Sequence, residues 1–311
     1  MKIGLMVPQF ARTASASALR DIGQAAEELG YSTLWTGDHV ILPDVQNSFY
    51  PFSDDGIYPV PKDGQFYDAF TTLAYLAGVT SKISLGTGVC VVPYRDRLVL
   101  AKLIATVDAV SEGRLIFGAG VGWLKEEFDA LGVDFTKRGK ITNETLELLE
   151  QAFGGDTELD YRGRYVTATD VHISPQLHEH RTLPVWIGGA SKAALNRTAR
   201  FASTWFPHIH GSTARVLSEG VQTITERKQE LGLDPVVSTA IFMPIEVTEQ
   251  PTSDGPLEEQ WVFRGTFEQI KGAIDHYASL GVSEVLLVHG GSVRRRIAHM
   301  ARLVDVGLLS A

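Results

Sequence analysis

Short apolar runs alternate with amphipathic helical patterns along the whole chain. Eight runs are rich in β-branched and aliphatic residues, as buried strands are, and the segments between them repeat apolar residues at helical spacing. The first predicted strand is Ile3–Pro8, and the helix after it begins at Ser15 or Ser17 and stops at Gly30. The other predicted strands are Thr33–Trp35, Ile83–Val92, Leu115–Gly118, Val185–Gly188, Thr204–Pro207, Ser238–Glu246 and Glu284–His289.

A helix is predicted after each strand. The seven later helices are predicted at Asp68–Val79, Leu98–Val110, Ile141–Phe153, Ser191–Phe201, Val216–Leu231, Thr266–Leu280 and Val293–Val304. Strand–helix alternation implies right-handed crossovers and a parallel sheet, and eight such units predict an α/β fold, the closed (β/α)8 TIM barrel. An open doubly wound sheet is the alternative, but its glycine-rich fingerprint is missing from the first strand–helix turn. Since no low-complexity linker divides the chain, residues 1–311 are predicted to form one domain.

Composition narrows the classes of function. The 311 residues carry a formal net charge of −9, which argues against nucleic acid as the main partner. The single cysteine, Cys90, excludes an intramolecular disulfide and a cysteine-rich metal site. The N-terminus lacks the pattern of a signal peptide, and no apolar run reaches the ~18 residues of a membrane span. A cytoplasmic protein without membrane contact is therefore expected.

Three long segments interrupt the strand–helix alternation. Residues 41–67 are rich in Pro, Phe, Tyr and Asp, residues 154–183 contain a predicted hairpin, and residues 247–263 are polar with two prolines. Long loops in a compact domain are usually functional or disordered. We expect these insertions at the carboxyl ends of the strands, which form the active-site mouth of a barrel.

Glycine recurs at five of the eight strand ends. Such positions let a backbone approach a flat or anionic ligand closely, although glycines also form tight turns. The fifth strand ends in Gly188-Gly189-Ala190-Ser191 and leads directly into a helix, where free N–H groups and the helix dipole suit a phosphate. Together these ends favour a large cofactor lying across the barrel mouth.

The second strand ends in an acid–base pair, Asp38-His39. A histidine titrates near neutrality and can therefore exchange a proton in the working range. The alternative is a simple turn in which Asp38 caps the next segment and His39 is merely polar. The position over the barrel mouth favours the catalytic interpretation. The other histidines, among them His172, His178, His180, His208 and His210, match no metal-ligand spacing, so no metal is expected.

Five segments together resemble the bacterial luciferase-like family of flavin- and deazaflavin-dependent oxidoreductases. They are IGLMVPQF, LWTGDHV, ISLGTGVCVVPYR, the stretch from LVLAKLIATVDAV to GVGWLKEEFDALGVDFTKRG, and LPVWIGGASKAALNRTARFASTWFP. They cover most of residues 1–210 in family order. Within the family the similarity is greatest to members that use coenzyme F420, an 8-hydroxy-5-deazaflavin.

The resemblance implies a dimeric barrel with the deazaflavin ring at its mouth. It further implies a non-prolyl cis peptide at Gly88-Val89 behind the ring, and the cofactor phosphate at Gly188–Ser191. His39 would be the acid–base group, and Asp38 would contact the ring or orient His39. Glu127 and Arg138 match recurrent family positions and would form a structural ion pair or line the pocket. The expected cofactor-binding residues are Pro8, Phe10, Asp38, Gly88, Val89, Gly120, Gly122, Trp123, Gly188, Gly189, Ala190 and Ser191.

Two departures argue against one branch of the family, the sugar-phosphate dehydrogenases. Those enzymes have a glutamate where Trp123 stands here and a tryptophan where Pro43 stands. Together with Phe10 and the aromatic segment 49–58, this favours an apolar or aromatic small-molecule substrate. The resulting hypothesis is hydride transfer between F420 and an organic substrate. The alternatives are an FMN-dependent monooxygenase and a flavin-binding protein without turnover.

Overall fold

Eight parallel strands close into a barrel. The computed structural model describes residues 1–51, 53, 55–58, 60, 64–155, 158–207, 213–253, 255, 257 and 260–309. The barrel strands are β1 (Lys2–Met6), β2 (Thr33–Thr36), β3 (Ser84–Thr87), β4 (Leu115–Gly120), β5 (Val185–Gly188), β6 (Thr204–Phe206), β7 (Ser238–Val247) and β8 (Glu284–His289). Each strand pairs with the next one in chain order, and β8 pairs with β1. The predicted (β/α)8 barrel is confirmed.

A helix follows every barrel strand. The helices are α1 (Ala16–Leu29), α2 (Ala69–Val79), α3 (Arg97–Val110), α4 (Arg138–Ala152), α5 (Lys192–Phe201), α6 (Ala214–Glu230), α7 (Phe267–Ser279) and α8 (Val293–Asp305). Ser15, rather than Ser17, caps α1 by accepting a hydrogen bond from the Ala18 amide. A further short helix, Lys125–Ala130, lies between β4 and α4. No helix within the described ranges is long and apolar enough to cross a membrane.

The third strand differs from its prediction. It was expected to run from Ile83 to Val92, but β3 ends at Thr87, and the Gly88–Val89 peptide bond is cis. The chain then forms a second short strand, Cys90–Val91, which pairs with the end of β4, and a 3₁₀ turn, Val92–Tyr94. The apolar residues of this run stay buried on both sides of the break. Their pattern alone therefore does not reveal it.

The insertions add small sheets around the barrel. Phe10–Ala11 pairs with Gln65–Phe66 in antiparallel fashion, and Phe263–Gly265 pairs in parallel with the end of β7. Glu158–Arg162 pairs with Thr167–His172, which confirms the hairpin predicted for residues 154–183. The first two pairings place parts of the segments 41–67 and 247–263 at the carboxyl ends of the strands, beside the end of β7 and the residues that follow β1. Segment 154–183 is not at this end, contrary to the expectation: it lies between α4 and β5, and its Arg181 donates to the carbonyl group of Leu115, the first residue of β4.

Trp35 of β2 is part of an apolar cluster of barrel-strand residues that includes Trp186 and Phe206. Its indole is fully buried, stacks on Phe206 and donates a hydrogen bond to the Thr33 hydroxyl at 2.5 Å. A Cβ atom at Gly86 would overlap the indole ring, and one at Gly4 would overlap both the indole and Thr33. Gly86 is one of the two glycines in the predicted third strand. It makes room for Trp35 and does not serve a cofactor.

The indole is linked to a buried carboxyl group at the amino end of the barrel. The Thr33 hydroxyl donates to Glu284, and the Ser32 hydroxyl lies 3.3 Å from the same oxygen. Burial raises the pKa of Glu284 above its usual value of 4.5, although hydrogen bonds from the hydroxyl groups and the charge of Lys2 oppose the rise. The folded protein therefore favours the protonated carboxyl group more than the unfolded chain does.

Replacing Gly86 by Ala should destabilise the fold, because the new methyl group overlaps the Trp35 ring. Overpacking of this kind costs about 1–3 kcal/mol, measurable by urea unfolding. Gly78→Ala is the matched control, since Gly78 lies in α2 with no atom within 4 Å of an added Cβ. It should leave the free energy of unfolding equal or slightly higher. Equal stability of both variants would contradict the proposed contact.

Replacing Glu284 by Gln should change how stability depends on pH. Since the folded-state pKa of Glu284 is raised, its favourable contribution is complete below the unfolded-state value of 4.5 and is lost as pH rises through the folded-state value. Thermal melts of the wild type and Glu284→Gln should therefore shift progressively in favour of the variant as the pH rises above about 4.5. A difference in melting temperature that stays constant with pH would be inconsistent with the raised pKa.

Candidate active site

An apolar cavity of about 520 Å³ opens at the carboxyl ends of the barrel strands. Ten of the residues predicted from the sequence line it. They are Phe10, Asp38, His39, Gly88, Val89, Gly120, Gly122, Trp123, Gly188 and Gly189. Three others do not line it: Pro8 is buried beneath it, whereas Ala190 and Ser191 are exposed beside it.

Gln9 holds the turn after β2 by hydrogen bonds, and no pattern in the sequence indicates this role. Its side chain is fully buried. The amide oxygen accepts a hydrogen bond from the Gly37 N–H at 2.6 Å, and the amide nitrogen donates to the carbonyl groups of Gly37 and Tyr67 at 3.0 and 2.9 Å. This brings Phe10 onto Phe66 with ring centroids 5.7 Å apart. These three hydrogen bonds of Gln9 hold the turn that presents Asp38 and His39.

The Asp38 carboxylate accepts hydrogen bonds from Arg95 and Val91. Arg95 donates two hydrogen bonds to it at 2.7 and 2.8 Å, and the Val91 N–H donates a third at 2.9 Å. Arg95 also pairs with Asp68, the residue that caps α2. Burial disfavours a charged guanidinium, but the hydrogen bonds and charge of Asp38 outweigh this and raise the pKa of Arg95. Asp38 therefore anchors the chain that follows the cis peptide.

His39 is held by a different carboxylate, Glu127 of the short helix Lys125–Ala130. The His39 Nδ1 lies 2.6 Å from one oxygen of Glu127. The other oxygen accepts hydrogen bonds from the amides of Val40 and Ile41 at 2.7 and 3.1 Å. Since a carboxylate accepts these bonds, Nδ1 carries the proton of a neutral His39. Nε2, at the opposite edge of the ring, is then the acceptor nitrogen of neutral His39, and this residue lines the cavity.

This geometry corrects two expectations. Asp38 does not orient His39, because its carboxylate is bonded to Arg95 and Val91, and Glu127 does this instead. Glu127 does not pair with Arg138 either, so the ion-pair alternative is wrong. The Arg138 guanidinium stacks over Phe135 at 3.8 Å and donates to its carbonyl group.

The glycine-rich face of the cavity is built around Val89. This residue follows the cis bond at Gly88, the position that the family resemblance implied. A Cβ atom at Gly120 or Gly188 would approach the Val89 side chain closely. Gly122 has a φ of +81° and faces Val91 and Phe128, so a larger residue would be both strained and crowded there. These glycines bring flat backbone, instead of side chains, to the cavity surface.

The segment 188–191 leads from β5 into α5, as predicted. Gly189 has a φ of +102°, a conformation that favours glycine. The Ser191 hydroxyl caps α5 by accepting a hydrogen bond from the Ala194 amide at 3.2 Å. The first-turn amides of α5 have no acceptor within the helix and lie beside the cavity. They are donors of the kind that binds phosphate.

Aromatic side chains form the remaining wall of the cavity. Tyr50 and Tyr58 come from the first insertion, Trp123 follows β4, and Trp261 comes from the last insertion. Ring centroids of Tyr58 and Trp123 lie 4.8 and 6.2 Å from that of His39. Burial raises the pKa of the Tyr58 hydroxyl well above its usual range, and the charges of Tyr50, Glu127 and Asp38 add to the rise. Trp261 lies in a polar segment, so no pattern in the sequence identifies it as a cavity-lining residue.

The remaining histidines are not gathered at the cavity. Among the described residues, no group of three His, Cys, Asp or Glu side chains could hold a metal ion. His208 and His210 lie outside the described residues. His289, at the end of β8, is buried next to His299, and burial together with the charges of His299 and Arg296 lowers its pKa to about 3.

A family model described as luciferase-like monooxygenase matches residues 1–252. The chain belongs to this luciferase-like family. An uncharacterised family relative from Mycobacterium tuberculosis is 29% identical over 190 residues, or 61% of this chain and 64% of the relative. Pyrimidine monooxygenase RutA of Enterobacter cloacae is 28% identical over 184 residues, 57% of this chain and 49% of RutA. The matches thus span less than two thirds of these relatives' own lengths.

Solved structures share the luciferase-like fold at low identity. A coenzyme F420-dependent tetrahydromethanopterin reductase from Methanopyrus kandleri superposes with a TM-score of 0.74, at 18% identity and 97% coverage of both chains. The monooxygenase RslO1 from Streptomyces bottropensis gives a TM-score of 0.76, at 18% identity and coverage of 99% and 98%. An F420-dependent secondary alcohol dehydrogenase gives 0.77, at 16% identity and 98% coverage of both. Deazaflavin enzymes and monooxygenases therefore share this barrel.

Replacing Glu127 by Gln should change the tautomer of His39. The amide oxygen can keep the bonds to Val40 and Ile41, which turns the NH₂ group toward His39 Nδ1 and disfavours a proton there. Nitrogen chemical shifts of labelled histidine should show the neutral ring protonated on Nδ1 in the wild type and on Nε2 in the variant. Glu126→Gln is the matched control, since Glu126 bonds to Asn47 and Ser48. An unchanged tautomer in Glu127→Gln would contradict the assigned role.

Proposed function

We propose that this luciferase-like chain is an oxidoreductase that transfers a hydride between coenzyme F420 and a small organic substrate, with His39 as the acid–base group. The observation that carries the proposal is the His39–Glu127 pair, buried beside the cis peptide and facing an apolar cavity. A histidine fixed by a buried carboxylate and open on its other edge suits proton transfer to a bound molecule.

The residues of the mouth fit a flat cofactor that carries a phosphate. Val89 and the backbone at Gly120 and Gly188 would lie against the ring, with Phe10 and Trp123 at its edges and Pro8 supporting Phe10 from below. The segment 188–191, including Ala190 and the Ser191 hydroxyl, would hold the phosphate at the start of α5. Reduced F420 supplies a hydride when bound and reacts poorly with oxygen; the redox chemistry belongs to the cofactor.

The chain itself supplies the proton and its control. When the substrate is reduced, protonated His39 would donate from Nε2 to the substrate atom that gains negative charge, while Glu127 stabilises the charged ring. In the reverse direction, neutral His39 would accept the hydroxyl proton at Nε2. In both directions the substrate changes by one hydride and one proton. The ring does not need to turn, because Glu127 fixes it.

Asp38 would contribute by position rather than by proton transfer. Its hydrogen bond to the Val91 amide and its ion pair with Arg95 fix the segment that carries Val89. The apolar lining would exclude water from the reacting atoms, which strengthens the interaction of His39 with a developing charge.

The second candidate is an FMN-dependent monooxygenase. It is supported by the matches to RutA and to RslO1, whose names describe monooxygenases. The same glycine-rich face and phosphate segment would accept FMN. In that case reduced FMN would supply the chemistry with oxygen, and the apolar lining would protect it from water.

A parallel titration with F420 and FMN separates the two candidates. Trp123 lies in the cavity wall, so its fluorescence should be quenched when either ring binds. We expect micromolar or tighter binding of F420 and clearly weaker binding of FMN. The reverse preference would favour the monooxygenase, and binding of neither cofactor would refute both. Gly189→Asp, which places an anion beside the phosphate, should weaken binding of the preferred cofactor.

His39→Gln should keep cofactor affinity but lower turnover by about 10²–10⁴-fold, the usual contribution of a general acid or base. Single-turnover oxidation of reduced F420 by a carbonyl or activated-alkene acceptor measures the rate. His276→Gln, on the exposed side of α7, controls for the loss of a histidine and should react at the wild-type rate. Unchanged turnover in His39→Gln would remove His39 from the reaction.

A further inference from the structure

We propose that the substrate is an uncharged, ring-containing carbonyl compound, or the corresponding alcohol, whose aromatic or conjugated ring stacks on the wall formed by Tyr50, Tyr58, Trp123 and Trp261. The inference rests on the proposed function, since it assigns the occupant of the same site. Three features of the cavity support it: its charges, the geometry of its aromatic rings and the location of His39.

The charges in and behind the cavity disfavour an anion. Among the described residues that line it, none is a lysine or an arginine. The nearest guanidinium group in this network, Arg95, is already shared between Asp38 and Asp68. Glu127 adds a further buried carboxylate behind His39. Protonated His39 is already paired with Glu127, so a carboxylate or phosphate on the substrate would lose its hydration without gaining an unpaired counter-charge, which is costly.

The four rings of the wall offer faces and edges, whereas valine, proline and methionine side chains line other parts of the cavity. Tyr50 lies 4.9 Å from Trp123 and 5.0 Å from Tyr58, with the ring planes inclined at 57° and 72°. Trp261 approaches Tyr50 edge-on from the other insertion, with centroids 6.2 Å apart. A planar, conjugated ligand can meet such a surface by offset stacking or edge-to-face contact, whereas a saturated ring gains only its buried area.

The polar end of the substrate is set by His39. Its ring touches the aromatic wall at Tyr58, so a bound ring there places an attached oxygen atom within reach of His39. A carbonyl oxygen accepts the proton in reduction, and a hydroxyl group releases it in oxidation. The volume of about 520 Å³ must also hold the cofactor ring, which limits the substrate to one or two rings.

Three matched ligands test the proposal on protein loaded with whichever cofactor binds. Acetophenone is a neutral aromatic ketone, benzoate has the same ring with a negative charge, and cyclohexyl methyl ketone has the same carbonyl group on a saturated ring. Calorimetry should show acetophenone binding at least about tenfold more tightly than benzoate and several-fold more tightly than cyclohexyl methyl ketone. Benzoate affinity equal to or above that of acetophenone overturns the claim of an uncharged substrate. Equal affinity for the two ketones, or no binding of acetophenone, overturns the stacking claim.

Variants of Trp261 locate the effect on the wall. Trp261→Leu should weaken acetophenone binding and leave benzoate binding weak, whereas Trp261→Arg should add a counter-charge and strengthen benzoate binding. Circular dichroism checks that both variants are folded. Trp261 is outside the predicted cofactor contacts, so the F420 and FMN titrations serve as an independent readout. If the wild type binds neither cofactor, the proposed function is refuted. If it binds a cofactor but the Trp261 variants keep the ligand preference of the wild type, only this inference is refuted.

Discussion

The space taken by the Trp35 indole is the constraint on which the barrel and its mouth depend. The ring occupies the centre of the barrel, and Gly4 and Gly86 lack side chains where it lies. A Cβ atom at Gly88 would lie 3.3 Å from the indole, so the segment that carries Val89 passes close to the ring. The core packing around Trp35 therefore sets the position of Val89, which lines the cavity.

Two buried carboxylates at the mouth differ in what neutralises them. Asp38 faces a guanidinium that stays charged at every working pH, so its ion pair is permanent and serves to fix backbone. Glu127 faces the imidazole of His39, the proposed acid–base group. The same type of side chain thus fixes backbone in one place and orients a histidine ring in the other.

The strands, the helices and the position of His39 at the cavity could be predicted from the sequence because their signals are local. Apolar runs mark parallel strands buried on both faces, and Asp38-His39 directly follows one of them. The partner of His39 could not be derived in this way, because Glu127 is 88 positions away and is one of two adjacent glutamates. The role of each glycine could not be predicted either, since the sequence shows that a side chain is missing but not what occupies its space. Trp261 lies in a polar segment whose course depends on its pairing with β7.

Family membership leaves the substrate open, because one barrel serves deazaflavin and flavin enzymes alike. What distinguishes this chain must then lie in the segments added to the barrel. The two insertions supply Tyr50, Tyr58 and Trp261, while the barrel supplies the glycine-rich face and His39. The glycine-rich face thus belongs to the barrel itself, whereas three of the four rings of the aromatic wall come from the inserted loops, and loops usually vary more than the elements they connect. The proposed cofactor depends on the first part and the proposed substrate preference mainly on the second, so the two can be determined by separate experiments.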